Sequence, residues 1–169
     1  ADSLRMFEMF LGPLEQAKPW SETGIEGIFR FLSRVWRLIV AEEGGLSSKV
    51  QDVAPNEDLD YVLNETIKKV GEDIENLKFN TAISQMMILV NEFYKNDVVP
   101  KSAITAFVKV LSPFAPHIAE ELWEVLGNTT SIVHADWPAY DESKMQKSSV
   151  EMVVQVLSKI RAKINVASG

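Results

Sequence analysis

The sequence predicts a mainly α-helical bundle of about five helices with a short C-terminal β-hairpin or strand pair. Three observations predict it. Apolar residues recur at three- and four-residue spacing through most of residues 22–126. Proline and glycine clusters interrupt those stripes about once per helix length. Only the last twenty or so residues change to β-branched runs and two-residue alternation. The chain has 169 residues, 46% hydrophobic and 24% charged, which suffices for one medium domain and is unlike a disordered composition.

Residues 3–11 form a short helical stretch stopped by Gly12-Pro13. A connector with Pro13 and Pro19 follows. Over residues 22–41, Ile25, Ile28, Phe29, Leu32, Val35, Trp36 and Ile39 make a helical stripe, with Ser21 as N-cap and Gly44-Gly45 as the stop. Residues 46–56 read as a polar loop, and Asn56 as the next cap. Leu59, Leu63, Ile67, Val70 and Ile74 then repeat at helical pitch. The acids from Glu57 to Glu75 occupy the other face, which reads as a solvated surface. Phe79, Ile83, Met86, Met87, Val90 and Phe93 form the third long stripe. A break near 77–80 is expected, because a single helix over 57–95 would be too long for a compact domain. Pro100 suits the first turn of a helix carrying Ile104, Phe107, Val108 and Leu111. Pro113 and Pro116 bracket a corner, and Pro116 opens a helix that ends at Gly127-Asn128. Residues 151–157 and 160–166 read as two strands of a hairpin around Ser158-Lys159.

The chain has no cysteine, which excludes a disulfide framework, a thiolate metal site and a cysteine nucleophile. Its two histidines, His117 and His134, argue against a multi-histidine zinc site. No apolar run reaches the length of a membrane helix. Charges at Asp2, Arg5 and Glu8 do not fit a signal peptide, and the start in mid-pattern suggests an excised fragment. The net charge is −7, unevenly spread. Residues 41–75 hold ten acidic and three basic side chains, whereas residues 144–169 hold five basic and one acidic. Bulk charge therefore does not attract a polyanion, and any such contact needs a local basic patch.

Two patches qualify. Arg30, Arg34 and Arg37 share a helix face, where guanidinium groups can meet successive phosphates or pair with Glu26 and the acids of residues 57–76. From spacing alone the ion-pair reading ranks first. Lys159, Arg161 and Lys163 alternate along the last strand. Among the tryptophans, Trp36 falls in a core stripe and Trp123 reads as half-buried, so Trp20 on the connector is the candidate for stacking on a base. No glycine-rich phosphate loop and no serine nucleophile elbow occur. Glu120-Glu121 point about 100° apart on a helix and do not converge, and His117 reads as a packing or hydrogen-bonding residue at the corner. By its residues the chain is not a self-sufficient enzyme.

Four segments together resemble the bacterial type of leucyl-tRNA synthetase, a class I family. They are the run from Arg5 to Gln16 with Lys18-Pro19-Trp20, the run from Gly24 to Leu38, Lys78-Phe79-Asn80-Thr81-Ala82-Ile83 with Val90-Asn91, and the run from Ser112 to Trp123. The Lys78–Ile83 and Ser112–Trp123 motifs resemble ones shared with the isoleucyl, valyl and methionyl enzymes. The Gly12-Pro13-Leu14-Glu15-Gln16 segment and the tail from Val153 to Ile164 tip the choice to the leucyl enzymes. The family's hairpin carries Asn-Gly before the lysine; Leu157-Ser158 stands there instead, so another turn or a bulge is expected.

The resemblance implies residues 1–20 as the end of a connector from the catalytic domain, 21–140 as a helical anticodon-binding-type domain, and 141–169 as a linker and the start of a C-terminal β-containing region. It implies tRNA(Leu) and the parent chain's catalytic domain as partners, no membrane, and a cytoplasmic location. It implies ATP and Mg for the parent leucine-tRNA ligase and no cofactor in this fragment, which lacks the catalytic and editing motifs. Arg30, Arg34, Arg37, Trp20, Lys159, Arg161 and Lys163 become the tRNA-binding candidates. The apolar side chains of residues 4–11 are expected to pack against the catalytic domain. The alternative is a non-catalytic helical interaction or scaffold domain with internally paired arginines.

Overall fold

In the computed structural model, residues 1–17, 22–145, 149–156 and 159–167 are described, with side chains described for residues 1–17 and 24–145. The expected stripes become helices α1 (Asp2–Phe10), α2 (Glu22–Ile39), α3 (Glu57–Glu75), α4 (Phe79–Phe93), α5 (Lys101–Leu111) and α6 (Pro116–Val125). Strands β3 (Ser149–Val156) and β4 (Lys159–Ala167) pair antiparallel as the C-terminal hairpin. Ser21 and the Leu157-Ser158 turn lie outside the described residues. In β4 the register shifts opposite Val154 and Gln155, leaving Arg161 as the extra residue. That bulge interrupts the strict two-residue count along β4.

The loop expected over 46–56 contains a strand. β1 (Val50–Gln51) pairs in parallel with β2 (Val99–Pro100), and both valines are buried. A two-residue pairing leaves no periodicity in sequence, so pattern reading misses it. Pro100 accordingly stands at the N-cap of α5, one position before the first turn.

The core is one apolar cluster fed by all six helices. Phe93 of α4 meets Phe107 of α5 edge-on at 5.8 Å, and Phe79 meets Phe114 at 6.1 Å. Helix α1 joins this core: Met6 and Phe7 are buried among the chain's own residues. The expectation that α1 keeps its apolar side chains for another domain is therefore corrected; of the apolar side chains on that helix, only Leu4 is well exposed. Gly24 explains the close approach, because a Cβ there would run into the Phe7 ring.

Helices α3 and α4 form an antiparallel pair with polar ties inside it. Gln85 donates to the Thr66 hydroxyl at 3.1 Å, and Thr81 donates to Asp73 at 2.8 Å. Asp73 is buried and paired with Lys69 at 3.0 Å, so it does not belong to a solvated acidic face. The segment after α6 also covers part of that face. Lys144 pairs with Asp60, Glu142 pairs with Lys68, and the Asp141 amide donates to Asn64, all at 2.8–2.9 Å.

The expected break falls at residues 76–78. The Lys78 amide donates to the Asp73 carbonyl and the Leu77 amide to the Ile74 carbonyl, which is the double bond of a Schellman ending. The left-handed position is held by Leu77 (φ 56°), where a glycine is usual; α6 ends in the same pattern with Gly127 (φ 95°). Leu77 is 55% exposed and loses little burial on truncation. Leu77→Gly is expected to raise stability by about 0.5 kcal/mol, the relieved strain exceeding the added chain entropy. Urea denaturation checks it, and a lowered midpoint would contradict the account.

Candidate nucleic-acid interface

Helix α2 carries apolar side chains over roughly 180° of its circumference, counted at 3.6 residues per turn. Ile28, Phe31, Leu32, Val35, Leu38 and Ile39 are buried. They occupy about 120° of that arc. The remaining edge faces solvent, where Phe29 is 63% and Trp36 38% exposed. The expected stripe therefore has the right period but a rotated centre: Phe29 and Trp36 leave the core, and Phe31 and Leu38 enter it. The reason is the position of α1 and α6, which leaves the Phe29–Trp36 edge beside an open cleft.

That cleft holds about 1100 Å³ between α2 and α6. Phe29, Arg30, Ser33, Trp36 and Arg37 line one wall, and Asp2, His117, Ile118, Glu120 and Glu121 line the other. Arg30 and Arg37 are exposed and, among the described residues, neither makes an ion pair. Among the described residues, Arg37 donates only to the Ser33 carbonyl of its own helix, at 3.2 Å.

Arg34 differs. Its guanidinium donates to Asn91 Oδ1 at 2.9 Å and lies 4.8 Å over the Tyr94 ring. The Tyr94 hydroxyl donates back to the Arg34 carbonyl at 2.8 Å. Arg34 thus fastens α2 to α4. The ion-pair reading of the three arginines is corrected: the described acids of α3 that form ion pairs take lysines, and Glu26 pairs with none of the three. Spacing could not separate Arg34 from its neighbours, because the difference comes from α4, which is distant in sequence.

Trp20 lies outside the described residues, as do the side chains of Lys159, Arg161 and Lys163, whose backbone belongs to β4. Trp123 is buried, with its indole donating to the Thr130 carbonyl at 2.9 Å. Trp137, unremarked in sequence, is exposed and faces Gly71 of α3. Glu120 and Glu121 both line the cleft wall formed by α6. Glu120 accepts from the Ile132 amide and the Ser131 hydroxyl. Among the described residues, no group of three His, Asp or Glu side chains could hold a metal ion, and no helix is long and apolar enough to cross a membrane.

The far wall is built around Asp2. The N-cap of α6, Ala115, has no side-chain acceptor, and Pro116 removes one amide. Asp2 supplies the acceptor from 116 residues away: its carboxylate takes the Ile118 amide at 2.8 Å, and His117 Nδ1 lies 2.7 Å from it. Helix polarity favours an anion there. Burial pushes the Asp2 carboxyl up, but the hydrogen bonds from the Ile118 amide and from His117 outweigh it and hold the pKa below the ordinary value. Asp2→Ala is expected to cost about 1–2 kcal/mol at neutral pH. Because the folded pKa is depressed, this contribution is complete above the unfolded value and fades as pH falls through the folded one. Urea titrations of both chains at about pH 7 and about pH 3 check the sign; an unchanged difference would contradict it.

Two comparisons bear on this geometry. A family model described as the anticodon-binding domain of tRNA ligase matches residues 57–169, from the first turn of α3 onward. Among solved structures, the chain is similar to a leucyl-tRNA synthetase (LeuRS) of Agrobacterium radiobacter, crystallised as a ternary complex with tRNA and LeuAMS. The TM-score is 0.75 at 24% identity, a likeness of fold that covers 98% of this chain. The chain spans 23% of the length of that protein. The family span begins after α2, whereas the structural likeness takes in nearly the whole chain.

Proposed function

Because the chain belongs to the anticodon-binding domain family of tRNA ligases, we propose that it docks tRNA(Leu) for ATP-dependent leucylation by a leucine-tRNA ligase of which it is one part. The observation that carries this reading is the pair of exposed arginines, Arg30 and Arg37, on the open face of α2, which make no ion pair among the described residues. An acidic domain offers a polyanion few such places, and guanidinium groups suit phosphate oxygens. Contacts of this kind hold and orient an RNA without reading its sequence.

On this reading the catalytic domain of the same parent chain is the other partner. ATP and Mg act there, and this domain has no cofactor of its own. A cytoplasmic location goes with it. The division into residues 1–20, 21–140 and 141–169 stays part of the proposal. Lys159, Arg161 and Lys163 of β4 add a second basic contact, supported by the local excess of positive charge in residues 144–169. Trp20 keeps its proposed stacking role on the connector. Arg34 moves from phosphate contact to helix fastening, since its guanidinium already serves Asn91 and Tyr94.

The test is a salt titration of binding to tRNA(Leu), with a noncognate tRNA as control. Arg30→Glu and Arg37→Glu should each weaken binding and lower the salt slope by about one unit, with stability unchanged. Arg34→Glu should lower the unfolding midpoint instead. No binding at about 50 mM salt, or slopes untouched by both substitutions, would favour the scaffold reading.

A further inference from the structure

We propose that the α2–α6 cleft accepts one unstacked nucleotide of the docked RNA, its base against Trp36 and its phosphates on Arg30 and Arg37. This rests on the RNA-docking reading and states which part of the RNA the cleft takes.

The aromatic edge is the first ground. Phosphate contacts with a duplex need only the arginines, because an A-form helix keeps its base faces stacked away from protein rings. Exposed rings beside guanidinium groups that make no ion pair among the described residues form instead a platform for single-stranded nucleic acid. Spacing is the second. Phe29-Arg30 and Trp36-Arg37 repeat after seven residues. The repeat places an aromatic and a cation twice along the wall, about 10 Å apart. That alternation matches base and phosphate in an extended strand better than a row of phosphates.

Charge asymmetry orients the nucleotide. The α6 wall carries Asp2, Glu120 and Glu121. Asp2 is occupied by His117 and the Ile118 amide, and Glu120 by Ser131 and the Ile132 amide. Glu121 is exposed and makes no hydrogen bond or ion pair among the described residues. The acids repel phosphates from this wall while the arginines draw them to the other. The base edge then faces α6, where the Glu121 carboxylate can accept from an exocyclic amine. Bases that carry an exocyclic amine, adenine, cytosine and guanine, are favoured over uracil on this geometry. A cleft of about 1100 Å³ has room for one nucleotide with its flanking phosphates.

The experiment uses the 169-residue chain labelled with 5-fluorotryptophan, the Trp36 resonance being assigned by Trp36→Phe. The probes are short single-stranded oligoadenylate and oligouridylate, a blunt RNA duplex, and tRNA(Leu). Single-stranded oligoadenylate and tRNA(Leu) should shift the Trp36 resonance, and the duplex should not. Trp36→Leu and the more exposed Phe29→Ser should each lower affinity for oligoadenylate about fivefold or more while leaving duplex binding unchanged. Glu121→Ala should remove the preference for adenine over uracil. A Trp36 resonance unmoved at saturating tRNA, with the effect of Arg30→Glu intact, overturns this inference and leaves the docking reading standing. Absence of binding to every RNA overturns both. A concentration-dependent dimer that shields Trp36 overturns it in favour of a second copy of the chain.

Discussion

A helix packed on one side can bury only part of its circumference, and α2 carries more apolar surface than its neighbours cover. The rest of the site depends on which edge is left out. Burying Phe31 and Leu38 turns Phe29, Trp36, Arg30 and Arg37 toward the cleft and Arg34 toward α4. A rotation of one residue position would sink Trp36, as the sequence stripe suggests, and there would be no aromatic wall. The fastening of Arg34 to Asn91 and Tyr94 holds the observed rotation. Its charge therefore serves packing, whereas the charges beside it stay available.

The opposite wall depends on a contact of equally long range. Helix α6 starts at a proline corner without a side-chain cap of its own, and Asp2 completes it. The same first turn of α1 leads into Met6 and Phe7, which enter the core over Gly24. Capping, core burial and cleft shape are thus joined through one short helix. Loss of the Asp2 carboxylate bears on stability and on the cleft together.

The acidic composition is consistent with a nucleic-acid surface once the charges are located. Part of the acid on α3 is neutralised by Lys69 and Lys144 and overlaid by the segment that follows α6, whose Glu142 pairs with Lys68. The arginines of the cleft face a wall whose carboxylates are mostly engaged in hydrogen bonds. Local complementarity, which salt screens over about 10 Å, matters more here than the net charge of −7.

The sequence by itself determined the helices and most of their ends. The Asn56 cap, the Pro116 start and the apolar pitch of α3 to α6 act within one or two turns and are readable locally. It also carried the strand pair at the C-terminus and, through several short motifs taken together, the family. Only the tertiary structure decided the rotation of α2, the separation of Arg34 from Arg30 and Arg37, the exposure of Trp36, and the β1–β2 pairing. Each of these is settled by a partner more than about a helix length away in the chain. Periodicity describes a helix in isolation. Which part of its surface meets water depends on what the other helices leave uncovered.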